Sequence, residues 1–161
     1  MIEFKENTEF EIKNLISYRE IVKQNDSISV YEKLMYFVKE NNVNIKEGFS
    51  ISALHNVLNK NGELLLDTEL IWMTDEPVEA NGGVKYLPNF KIENALKMMF
   101  SGSQDDLSKV DNLIYNYIKK NNLIPLTPCY MVTEMKSINE NDDNNIKTSV
   151  CFYMGIEESN I

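Results

Sequence analysis

Apolar and polar residues alternate with period two along most of this chain, and twice the period changes to that of a helix. After a polar lead-in at residues 1–8, the stretch from Phe10 to Val22 places Phe10, Ile12, Asn14, Ile16, Tyr18 and Val22 on even positions, with Glu11 and Lys13 between them. That alternation predicts a strand. Val30, Leu34, Phe37 and Val38 then follow the spacing i, i+4, i+7, i+8, one apolar stripe of a helix. Ser29 and Glu32 have capping-box spacing ahead of it, and Asn41-Asn42 closes it. Residues 46–48 predict a turn. Phe49, Ile51, Ala53 and His55 then share one strand face, with Ser50, Ser52 and Asn56 on the other. Asn59 to Gly62 is a hairpin signal, because Asn and Gly tolerate the positive φ of such turns. The returning strand, Leu64 to Met73, carries Trp72, the chain's single tryptophan.

The same plan recurs 80 residues later. A polar Pro- and Gly-containing stretch, residues 74–83, begins the linker (75–89). Phe90 to Phe100 reads as a strand, Ser103 and Asp106 as a cap, and Val110, Ile114, Tyr117 and Ile118 as the second helical stripe. Asn121-Asn122 ends that helix. Pro125 and Pro128 turn the chain into a strand at 128–135, and an acidic turn at 139–145 leads to a last strand from Ile146 to Tyr153. Set without a gap, residues 10–74 and 90–154 share identities that include Phe10/Phe90, Ile12/Ile92, Val30/Val110 and Thr68/Thr148. The expectation is an α+β fold, a tandem duplication of a βαββ unit. Its pseudo-repeats lie at about 10–74 and 90–154. Two helices lie on one face of curved antiparallel sheets, with a central groove between the halves.

At 161 residues the chain is long enough to bury a core as one domain. A net charge of −9, with neither half basic, argues against direct nucleic-acid binding. It favours cationic ligands weakly at long range. Cys129 and Cys151 lie in apolar strand-like runs without metal or redox spacing, so both read as packing residues. The first residues have no signal-peptide pattern, and no apolar run is long enough to span a membrane. A cytoplasmic location is expected, with no cofactor and no membrane partner.

The segment Pro128-Cys129-Tyr130-Met131-Val132-Thr133 resembles a stretch that often reads Pro-Cys-Phe-Glu-Val-Tyr in the gyrase-inhibitor-like (GyrI-like) effector-binding domains. The helix ending in Asn121-Asn122, the final Cys151-Phe152-Tyr153 and Leu54-His55-Asn56 add to the likeness, which covers about residues 10–155. The resemblance implies a duplicated SHS2-like fold with a pocket for lipophilic, often cationic or aromatic compounds, as in the sensing domains of bacterial multidrug-responsive transcription activators. It also implies a Glu that attracts the cation and, in some members, hydrolysis by that Glu and a Tyr. Met131 and Thr133 stand at those two positions. A thioether neither pairs with a cation as a carboxylate does nor activates water, so no catalytic residue is assigned.

The candidate groove residues are Tyr18, Ile51, Ala53, His55, Trp72, Tyr115, Tyr130, Met131, Thr133 and Glu134. Aromatic rings would stack on a ligand, and Met98, Met99, Met131, Met135 and Met154 would line an adaptable apolar surface. Glu134 falls on the strand face opposite Met131 and Thr133. No metal is expected, since the lone His55 has no second ligand at useful spacing and the 139–145 turn lacks the Gly and the bidentate Glu of a calcium loop. The expected function is a stand-alone, non-catalytic small-molecule-binding protein for an apolar or aromatic ligand, cationic or neutral. A protein-interaction module that kept the fold and lost the ligand site is the alternative, with a protein partner. A hydrolase of electrophilic toxins is the weaker one.

Overall fold

The computed structural model describes residues 1–134 and 148–158, and at Glu47, Gly48, Glu134 and Thr148 it describes the backbone alone. In chain order the elements are β1 (Ile2–Lys23), a 3₁₀ turn (Gln24–Asp26), α1 (Ile28–Glu40), β2 (Ile45–Lys60), β3 (Glu63–Thr74), β4 (Lys85–Gly102), α2 (Gln104–Leu107), α3 (Val110–Lys120), β5 (Leu123–Pro125), β6 (Tyr130–Glu134) and β7 (Thr148–Glu158). The fold is α+β and mostly antiparallel sheet. It divides into two compact units, Glu11–Lys91 on the one hand and Met1–Phe10 with Ile92–Ile161 on the other. The division falls inside β1 and inside β4.

In the Glu11–Lys91 unit, β3 lies between β1 and β2, antiparallel to both. Ile16 pairs with Trp72, and those two side chains meet Leu34 and Phe37 of α1 together with Val84. Burial of that apolar face, rather than helix propensity, holds α1 in place. Trp72 is 2% exposed. Its Nε1 donates to Ser50 Oγ at 3.0 Å, and Tyr31 meets its ring edge-on at 5.5 Å. The β2–β3 hairpin closes at Asn61 and Gly62, with φ of 56° and 79°. Positive φ at both central residues is what a type I′ turn requires.

In the other unit, β7 lies between β4 and β6, and its last residues pair with β5. Leu96, Met98 and Phe100 of β4 pack with Val110 and Ile114 of α3 and with Phe152 and Met154 of β7. Phe4 of β1 stacks on Tyr117 of α3 at 4.0 Å and 7°. Asn7 and Asn14 adopt positive φ inside β1. Asparagine tolerates that conformation. Leu15, Ile16 and Ser17 are buried in succession because the sheet is covered on both faces there.

Several local expectations need correction. Residues 1–8 are not a lead-in: β1 begins at Ile2. The α1 N-cap is Ser27, without a side-chain cap bond, and Ser29 lies within the helix. Residues 46–48 belong to β2, beside a register shift between Ile45 and Ser50. Phe49 is 41% exposed and does not join the buried face of Ile51 and Ala53. Ser103 does accept from the Asp106 N–H at 3.2 Å, but it caps the separate short helix α2. β7 continues past Tyr153 to Glu158, and β5 was not foreseen. Both long helices end as expected. Asn41 and Asn121 each donate a side-chain amide N–H to the carbonyl four residues back at 2.9 Å, and Asn42 and Asn122 take positive φ. The 139–145 turn, Met135 and the Ile146–Lys147 start of the last strand lie outside the described residues.

Leu34 is 0% exposed, whereas Leu113 on α3 is 43% exposed. Leu34→Ala is expected to lower unfolding free energy by about 2–5 kcal/mol, and Leu113→Ala by less than about 0.5 kcal/mol. Denaturant midpoints of the two variants check this.

Candidate functional site

The two faces of the β1–β3–β2 sheet differ in chemistry because side chains alternate across a strand. Even positions of β1 and β3 face α1. Odd positions form the face turned away from α1, which is buried at Leu15, Ser17, Ile51, Ala53, Ile71 and Met73 and reaches solvent only at its outer end. From Leu15, Ser17, Ile51, Ala53, Ile71 and Met73 that face runs outward to Arg19, Asp67 and Glu69, as the pairs Leu15↔Met73, Ser17↔Ile71, Arg19↔Glu69, Ile21↔Asp67 and Ala53↔Glu69 require. There it forms a depression of about 350 Å³, lined by Ser17, Arg19, Ile21, Asp67, Glu69 and Lys85, with Glu20 and Gly83 at its margin. Gly83 has φ of +85°, and a Cβ there would meet the Tyr18 ring at 3.4 Å.

Its charges are arranged in pairs. Arg19 holds Asp67 through two parallel bonds of 2.8 Å, Nε to Oδ1 and Nη2 to Oδ2, the fork geometry that makes arginine–carboxylate pairs strong. The guanidinium keeps the Asp67 carboxyl below its ordinary value, against an opposing effect of burial. His55 falls at a register shift between Leu54 and Asn56. The irregularity turns its ring toward Glu69, and Nε2 donates to Oε1 at 2.8 Å. Both of those side chains are 15% exposed. On the margin, Lys33 of α1 binds Glu20 Oε1, while Glu20 Oε2 is enclosed with no hydrogen-bond partner. The Ser17 hydroxyl and Glu69 Oε2 take no hydrogen bond from any described residue, and Lys85 has no ion-pair partner among them. Beyond Asp67 the same face continues as an apolar strip of Ile21, Leu65 and Leu58.

The expected groove residues distribute as follows. Ile51, Ala53 and His55 are together on the face of this unit turned away from α1, where Ile51 and Ala53 are buried. Trp72 and Tyr18 are on its other side, in the α1 core, so they do not share a surface with the first three. In the second unit, Tyr130 is buried opposite Tyr153, and Met131 opposes Phe152 and packs toward the α3 core. Thr133 is half-buried near the end of β6, Tyr115 is 63% exposed on α3, and the Glu134 side chain lies outside what the structure describes. There the open face carries Tyr153, stacked on Phe10 at 4.2 Å, with Lys97 Nζ 5.8 Å from the ring centre. Burial pushes the Cys129 thiol up to about 12, which keeps it a thiol at neutral pH. Cys129 and Cys151 are both free. Among the described residues no group of side chains could hold a metal ion, and no helix is long and apolar enough to cross a membrane.

Arg19, Asp67 and Glu69 were not singled out from the sequence. A signal was present: Asp67-Thr68-Glu69 puts two acids at i and i+2 within an otherwise apolar strand, hence on one face.

No family model matches the chain, and no curated protein does. Solved structures do. EcmrR in its cryo-EM complex with DNA matches with a TM-score of 0.68 at 16% identity, over 99% of this chain and 58% of that one. The crystal structure of the EcmrR C-terminal domain matches with a TM-score of 0.63 at 14% identity, over 99% and 98%. An uncharacterized conserved protein from Listeria innocua matches at 0.54 and 10% identity, over 94% and 93%. This chain thus spans a little more than half of EcmrR in the DNA complex and nearly all of its C-terminal domain. The likeness is one of fold.

Two outcomes follow from the geometry. A carboxyl whose folded pKa is depressed stabilises above its unfolded value and ceases to do so as pH falls through the folded one. Stability is therefore expected to drop below about pH 4 more steeply than in Asp67→Asn, as read from denaturant midpoints at a series of pH values. Trp72, being enclosed, should resist acrylamide quenching in the native protein and become quenchable on unfolding. Strong native quenching would contradict its placement.

Proposed function

We propose that this protein is a non-catalytic small-molecule-binding domain of the GyrI-like effector type, and that its ligand settles in the depression at the outer end of the Glu11–Lys91 sheet face turned away from α1. The depression beside Asp67 and Glu69 carries this reading. It joins half-buried polar groups, some unmatched by protein partners, to an apolar strip of Ile21, Leu65 and Leu58. Small-molecule sites have this character: apolar walls with a few placed polar groups. An organic ligand with an apolar or aromatic body and a charged head, cationic before anionic, fits those walls and the net charge of −9. In each unit the last strand of a strand–helix–strand–strand series lies in the middle of the sheet. That supports reading the chain as one unit built twice.

Binding without catalysis is supported by the commitments of the polar groups. His55 Nε2 is taken by Glu69, Asp67 is neutralised by Arg19, and Cys129 is held as a thiol. Met131 and Thr133 occupy the positions where the resemblance places a Glu and a Tyr. A regulatory role would have ligand occupancy read by a further domain or by a partner protein. A second reading, a protein-interaction module, rests on Leu54, Val57, Leu58 and Leu64, apolar residues of the β2–β3 hairpin that are each at least 40% exposed.

Isothermal titration with a panel of organic cations, neutral aromatics and organic anions tests the proposal. Saturable binding of at least one class, weakened at least about tenfold by Ile21→Asp, is expected. No binding across the panel would sink the ligand reading and leave the interaction module.

A further inference from the structure

The charges around the depression do not all cancel within the protein, and the remainder specifies a ligand. Arg19 and Asp67 satisfy each other in fork geometry, and Lys33 neutralises Glu20. Glu69 is different. Its partner is an imidazole, which donates one hydrogen bond to Oε1 and brings a full counter-charge only when protonated. Its second oxygen takes no hydrogen bond from any described residue. That oxygen reaches the depression from a side chain 15% exposed, so it is open to a ligand that can donate to it.

Ser17 supplies the second half of the site. It is 3% exposed and lines the depression, and its hydroxyl likewise has no partner among the described residues. The register makes the two neighbours. Arg19 opposes Glu69 and Ser17 opposes Ile71, so Ser17 and Glu69 are diagonal on one sheet face, a separation that long side chains span. On the far flank Glu69 is paired with Ala53, whose methyl group leaves space that a larger side chain would take. A carboxylate oxygen and a hydroxyl oxygen thus line one depression as diagonal neighbours, and both accept hydrogen bonds.

We propose, resting on the small-molecule reading above, that the ligand's head group is a hydrogen-bond-donating ammonium, primary or secondary, seated between Glu69 Oε2 and Ser17 Oγ. A quaternary head has no N–H to give and leaves both acceptors unmatched. An anionic head is repelled by Glu69. The other charged groups facing the site are consistent with this. Asp67 is already matched by Arg19. Lys85 is exposed, so its repulsion of a cation is screened by solvent. The charge-assisted bond to Glu69 is the stronger of the two, and the Ser17 bond sets direction.

The experiment uses the full chain and four probes with one aromatic body: 2-phenylethylamine, its N,N,N-trimethyl derivative, 2-phenylethanol and 3-phenylpropionate, titrated by calorimetry. The amine is expected to bind at least tenfold tighter than the other three. Glu69→Gln, which keeps the side chain's shape, should remove that preference, bringing the amine's affinity down to about that of 2-phenylethanol. Ser17→Ala should weaken the amine a few-fold. Thermal unfolding of both variants establishes that they are folded. Equal or tighter binding of the trimethyl compound or of 3-phenylpropionate overturns the inference and leaves the small-molecule reading standing. The same holds for an amine preference that survives in Glu69→Gln. Absence of binding by all four at millimolar concentration overturns both.

Discussion

The register between β1 and β3 is the constraint on which the candidate site depends. Ile16 opposite Trp72 puts the largest side chain of the Glu11–Lys91 core against Leu34 and Phe37 of α1. Because side chains alternate, that single choice sends Arg19, Asp67 and Glu69 to the other face. A slip by one residue would bury the charges under the helix and take Trp72 out of the α1 core, so burial of the tryptophan enforces the register that assembles the polar site. The α1 core on one face, and on the other a buried apolar set that runs out to the polar site, are consequences of one alignment.

The second unit uses the same device with different residues. Leu96, Met98 and Phe100 turn toward α3, leaving the opposite face to Lys97, Tyr153 and Phe10. Met131 packs toward the core through its place opposite Phe152. There a flexible thioether fills space between aromatic and aliphatic neighbours, a role a carboxylate could not take without a partner. The charged chemistry that the resemblance attaches to that strand thus has no counterpart at Met131, and the acids of the candidate site, Asp67 and Glu69, stand on β3 instead.

Half-buried carboxylates serve stability or recognition according to their partners. Asp67 is compensated by Arg19, so it contributes to the folded state while pH stays above its depressed titration. Glu69 is compensated less completely. Its second oxygen is open to a ligand that can donate to it, and that requirement is itself a source of selectivity between ligand heads.

Most of the strands, the helical stripes and the C-terminal ends of both long helices were legible from the sequence because each rests on local periodicity or local hydrogen bonding. Val30, Leu34 and Phe37 mark a face by spacing alone, Asn61-Gly62 announces its turn by backbone preference, and the Asn-Asn pairs stop both long helices by bonding four residues back. The positive φ values of Asn7 and Asn14, the bulge that turns His55 to Glu69, and the pairing of β5 with β7 were not legible, because each is decided by a partner strand far away in the chain. The candidate site divides along the same line. The sequence by itself determined that Ile51 and Ala53 share a face and that Asp67 and Glu69 share one, since a two-residue period is local. Only the tertiary structure decided that those faces coincide, that Trp72 and Tyr18 belong to the opposite one, and that Arg19 arrives 48 residues away in sequence to bind Asp67. Cross-strand register is a non-local quantity, set by which alignment buries the most apolar surface.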